Sequence, residues 1–155
     1  MFSTLLFFHS VFRWLVLLSL LYTIFNSLVK FRKRAAFSSS DNKLRHWTTT
    51  IAHIQMMIGM VMYFKSPTVG QFRAMGYAAG SKITEVFFFG LIHISVMILA
   101  IIVLTIGSAV SKRQESDPNK FKIILIFFSI ALLIMIAAVP WPFSPLAQRP
   151  LLRDY

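Results

Sequence analysis

The chain has 155 residues, 57% of them hydrophobic and only 14% charged, with no cysteine and a formal net charge of +11. That composition lies outside the soluble globular range and inside that of integral membrane proteins. The lack of cysteine excludes disulfides, iron–sulfur clusters, thiolate metal sites, thiol catalysis and covalent haem attachment.

No segment alternates polar and apolar residues as the strands of an outer-membrane barrel do. Four apolar runs instead predict an all-α integral membrane fold, a four-transmembrane-helix bundle in one domain over residues 1–155. The helices are expected at about residues 5–29, 46–64, 83–110 and 122–139, each near the roughly 20 residues a spanning helix needs. The first run lacks a basic leader and a small-residue cleavage site and is too long for a signal-peptide core, so it reads as a retained helix.

Ser38-Ser39-Ser40-Asp41-Asn42 is a turn cluster suited to capping the second helix. The loop 66–81, with Pro67 and three glycines, has room for one short interfacial helix, and Glu115-Ser116-Asp117-Pro118-Asn119 forms a polar turn before the last span. In the tail 140–155, Trp141, Tyr155 and four prolines suit the outer headgroup zone.

Basic residues set the orientation. Lys30, Arg32, Lys33, Arg34, Lys43 and Arg45 precede the second run, and Lys112, Arg113, Lys120 and Lys122 follow the third. The opposite side carries Lys65, Arg73, Lys82, Arg149 and Arg153. By the positive-inside rule the chain is N-out and C-out in a bacterial inner (cytoplasmic) membrane. The same loop placement accounts for the basic charge without a nucleic-acid-binding domain.

Ionisable residues inside apolar spans are costly and face the bundle interior. His93 stands about 12–15 Å below the outer end of its run, and His53 falls in the middle third of the second. His9 is nearer the outer face, with Arg13 four residues on and on the same side of the helix. Two imidazoles at similar depth on facing helices can hold a b-type haem, one on each side of the iron. His53 and His93 form the first pair, with His9 as the substitute, and Gly59 and Gly90 leave room for a macrocycle. Arg13 is expected to meet a propionate or to pair with Glu85. Trp14 and Phe89 would close the pocket. Interhelical hydrogen bonding is the simpler role for each histidine, and His46, beside Trp47, reads as an interfacial side chain. Met57 and Met60 share the face of His53, and Met97 follows His93 by four, so a Cu(I) site is a further alternative to core filling. No catalytic triad, phosphate loop or carboxylate pair is present.

The motifs His9-Ser10-x-x-Arg13-Trp14, Asp41-Asn42-Lys43-Leu44, His53-x-Gln55-x-x-Ile58-Gly59 and Tyr63-Phe64-x-Ser66-Pro67 resemble those of a known group. His93-x-x-x-Met97, Pro140-Trp141-Pro142 and Arg149-Pro150-Leu151 extend the likeness over nearly the whole chain. The group is the small four-helix membrane proteins of Bacteroidetes-type bacteria labelled cytochrome b. The resemblance implies non-covalent haem b. It departs at Ile92, where the group carries an acidic residue directly before the third-helix histidine.

The sequence thus predicts a membrane-embedded haem b-binding electron-transfer protein or redox subunit, not a stand-alone enzyme. Its expected partners are the lipid bilayer, a quinone and other membrane redox subunits, in a homo- or hetero-oligomer. The rival reading is a cofactor-free accessory subunit of a larger inner-membrane complex.

Overall fold

The computed structural model describes residues 2–152, and every regular element among them is helical. Tyr155 and Arg153, an expected headgroup anchor and one of the basic residues on the outer side, lie outside the described residues. Helix α1 runs over Phe2–Arg32 and has neither glycine nor proline to interrupt it. Helix α2, Ser39–Lys65, begins at a capping box. The Ser38 hydroxyl accepts from the Asp41 N–H while the Asp41 carboxylate accepts from the Ser38 N–H at 2.9 Å, so two orphan donors of the first turn are satisfied reciprocally.

Ser66 and Pro67 break the chain direction. Ser66 caps α3 (Pro67–Gly80), with Pro67 in its first turn, and α3 is kinked at Gly76. This is the short helix expected within 66–81. Helix α4 (Thr84–Phe87) then passes through a π-helical turn, Phe88–Ile92, into α5 (His93–Lys112). The three form one rod, Thr84–Lys112, of 29 residues. Helix α6, Asp117–Ala138, ends where Pro140 forbids its continuation.

Helix α1 packs against α2 and α6, and α5 packs against the same two, so α1 and α5 stand diagonally across the bundle. The core joins Val16, Leu17 and Leu20 of α1 to Ala52, Ala100, Leu104, Ile124 and Phe128. Beyond the core, away from the chain termini, lies a polar belt. Thr23 and Thr48 share a hydrogen bond of 2.8 Å, and the buried Arg45 donates to the Ser108 carbonyl at 2.9 Å. Contacts of this kind between membrane helices contribute about 0.6–2 kcal/mol each.

The outer faces are apolar: Leu15, Leu18, Tyr22 and Phe25 of α1 and Ile102 and Ile106 of α5 are exposed. Three helices are long and apolar enough to cross a membrane, Phe2–Arg32, Thr84–Lys112 and Asp117–Ala138. The four-span expectation is therefore met by composition for three. Helix α2 is long enough at 27 residues but is diluted by Lys43, Arg45, Thr48, Thr49, Thr50, His53 and Gln55.

Candidate functional site: a cavity between two histidines

At the end of the bundle near Phe2 and the tail from Pro140, the helices line a cavity of about 350 Å³. That is within the ordinary size of a cofactor or small-ligand site. Helix α1 contributes His9 and Arg13, α2 contributes Gln55 and Gly59, and the π-turn and α5 contribute Phe89 and His93. Met56, Met60 and Met97 add thioethers to the lining, and Pro140, Arg149 and Pro150 of the tail complete it.

A local irregularity of the backbone, held by tertiary contacts, sets the placement of His93. The π-helical turn inserts one residue's worth of extra chain just before it, a feature frequent at functional sites. It is pinned from two sides: Tyr63 Oη donates to the Gly90 carbonyl at 2.8 Å, and the Phe72 ring fills the space where a Cβ on Gly90 would stand, 2.4 Å from its Cγ. The His93 ring lies against Phe88 and Phe89, at centroid separations of 5.6 and 6.1 Å. Its Nδ1 is 2.8 Å from the Ala138 carbonyl. A carbonyl only accepts, so Nδ1 carries a proton, and in the neutral ring Nε2 keeps its lone pair. A ring held in this way is the usual form of a ligating imidazole.

His9 sits on the diagonal helix, over Gly59. Its own carbonyl accepts from Gln55 Nε2 at 2.9 Å. His9 Nδ1 and Gln55 Oε1 are both buried without a hydrogen-bond partner, so this wall of the cavity has polar capacity that the described residues do not use.

The structure thus brings His9, Arg13 and His93 together and leaves His53 elsewhere. His53 Nδ1 donates to the Thr49 carbonyl at 2.8 Å, and its Nε2 is 3.1 Å from Thr105 Oγ1 on α5. Both nitrogens are engaged at the α2–α5 contact, outside the cavity lining. Glu85 pairs with Arg149 of the tail, not with Arg13. Arg13 hydrogen-bonds to the Leu151 carbonyl, and Trp14 Nε1 donates to the same oxygen at 2.9 Å. Trp14 also meets Trp141 edge-on at 6.1 Å. His46 is exposed on α2, its ring 5.9 Å from that of Trp47.

Arg149 is the residue that reading by spans misses. It lines the cavity, and its guanidinium lies 4.8 Å above the Phe89 ring. The only sequence signal was its place in Arg149-Pro150-Leu151. Among the described residues no three His, Asp or Glu side chains gather as a metal site. The donors that converge are two imidazoles and neighbouring thioethers. No protein-family model, curated protein or solved structure matches this chain.

Proposed function

We propose that this chain is a membrane-embedded haem b-binding redox protein, in which His9 and His93 would hold the haem. The observation that supports it is the pair of imidazoles on diagonal helices lining one cavity, with His93 Nε2 left as the basic nitrogen and His9 Nδ1 unpartnered. The rest of the cavity fits the group. An apolar macrocycle with two carboxylates suits a wall of methionine, phenylalanine and isoleucine with Arg13 and Arg149 toward the tail. Bound haem supplies a one-electron couple. His9 and His93 would hold it, the apolar lining would limit water, and Arg13 and Arg149 would offer charge to its carboxylates. The resemblance to the cytochrome b-labelled membrane proteins supports the same reading. So does the apolar surface, which suits a lipid-soluble quinone and other membrane redox subunits as partners.

In this reading α2 is the fourth span. Arg45, Thr48 and Thr49 are buried and His53 and Gln55 half-buried, while Trp47, Ile54, Met57, Val61 and Phe64 form an exposed apolar stripe that lipid can cover. With Arg32, Lys33, Arg34 and Lys43 at the opposite end from the termini, the chain sits N-out and C-out in a bacterial inner membrane.

The test is a pyridine haemochrome assay on protein purified from haem-replete cells. About one haem b per chain is expected. A folded, colourless preparation would favour a cofactor-free accessory subunit, and metal without Soret absorbance would favour copper on the cavity's thioethers.

A further inference from the structure

The sequence Pro140-Trp141-Pro142 ends α6 and removes two backbone donors at once. In a continuing helix the N–H of residue 140 would bond to the Ile136 carbonyl and that of residue 142 to the Ala138 carbonyl. Proline has no N–H to give. Both carbonyls are taken by side chains instead: Trp141 Nε1 donates to Ile136 at 2.8 Å, and His93 Nδ1 donates to Ala138 at 2.8 Å. The remaining N–H groups turn elsewhere, Val139 to the Met135 carbonyl and Trp141 to the Val139 carbonyl. The acceptor at Ala138 is left for His93.

That acceptor also lies at the C-terminal end of α6, where unsatisfied carbonyls carry the negative pole of the helix dipole. Such a partner for Nδ1–H increases the basicity of the other ring nitrogen.

We propose that Pro140 and Pro142 are positioning residues for His93: Pro140 stops α6, and Pro142 withholds the N–H that would compete for the Ala138 carbonyl, so that His93 is locked with its proton on Nδ1. The consequence for iron ligation rests on the haem reading above; the tautomer does not.

The experiment is ¹⁵N NMR of the histidine rings in detergent-solubilised, cofactor-free protein at neutral pH, with His93→Gln to assign the signals. The wild type is expected to show His93 protonated at Nδ1 with Nε2 bare. Pro140→Ala, which restores only the donor opposite Ile136, keeps that pattern. The double variant Pro140→Ala/Pro142→Ala, which restores the donor opposite Ala138, loses it and gives mixed tautomers. After haem is added, the double variant gives up haem to apomyoglobin about tenfold faster than the single.

An Nε2–H tautomer in the wild type would overturn the proposal, and that measurement needs no variant to fold. An unchanged His93 pattern in a folded double variant would overturn it equally. A protein that takes up no haem yet shows the expected tautomers sinks the cofactor reading and supports the role of the prolines.

Discussion

The imidazole of His9 rests on the backbone of Gly59: a Cβ built on residue 59 would stand 3.2 Å from His9 Cε1 and 3.6 Å from Nδ1. Helix α1 therefore delivers its histidine to the cavity across a helix contact where even a methyl group would crowd the ring.

Two opposed effects follow for Gly59→Ala. Removing a mid-helix glycine stabilises α2 by about 0.5–1 kcal/mol, while the new methyl pushes the His9 ring aside by a few tenths of an ångström. The expected variant unfolds at the wild-type temperature or slightly above it but binds haem about tenfold more weakly in a titration. Wild-type haem affinity would show that His9 is not held by this contact.

The tail closes on the cavity through two unequal attachments. The Glu85–Arg149 pair is exposed, and pairs of that kind contribute about 0–1 kcal/mol. Trp14 and Arg13 both bond to the Leu151 carbonyl, and Trp14 also contacts Trp141. Hydrogen exchange around residue 151 is expected to rise several-fold in Trp14→Phe, the loss of about 1 kcal/mol of hydrogen bond, and to change less in Glu85→Gln. Equal exchange in Trp14→Phe and wild type would contradict this order.

Asp41 gives a pH-dependent prediction at the far end of the bundle, outside the apolar part of α2. Burial by itself would raise its carboxyl, but hydrogen bonds from Lys30, Ser38 and Asn26 outweigh burial and hold it at about 2, against an ordinary 3.8. A carboxyl held low in the folded state contributes stability that is full above about pH 4 and lost as pH falls toward 2. The contribution is on the order of 2 kcal/mol. Asp41→Asn is expected to lower the unfolding temperature at pH 7 and to flatten its decline between pH 4 and 2. An unaltered acid limb would refute the assignment.

The orientation can be read with single cysteines, since the chain has none of its own. A cysteine at Ser40 is expected to resist a membrane-impermeant maleimide until the membrane is opened, whereas one at Ser81 reacts from outside. The reverse pattern would contradict the N-out assignment.

The apolar runs behind α1, α5 and α6 were legible because burial in lipid demands long uninterrupted hydrophobic stretches, and the turn cluster at Ser38–Asn42 was legible as a cap for α2, although the helix begins at Ser39 and not near residue 46. The pairing of histidines was not. Depth places His53 and His93 level, but only packing shows that α1, not α2, lies diagonal to α5. His53 is satisfied by Thr49 and Thr105, partners that no spacing rule singles out. The partner of Glu85 was equally hidden, because the path of the tail decides it, and the π-helical turn before His93 has no signature in Phe88–Ile92. Pro140-Trp141-Pro142 was legible as part of the tail beyond the last span, but which side chains take the freed carbonyls depends on the fold.

The most direct test of the central claim is the reduced absorption spectrum of the haem-loaded protein compared across His9→Ala, His93→Ala and His53→Ala. Bis-histidine ligation by His9 and His93 predicts that the sharp low-spin α and β bands vanish in the first two variants and persist in the third. Bands that survive in His9→Ala and vanish in His53→Ala would contradict it.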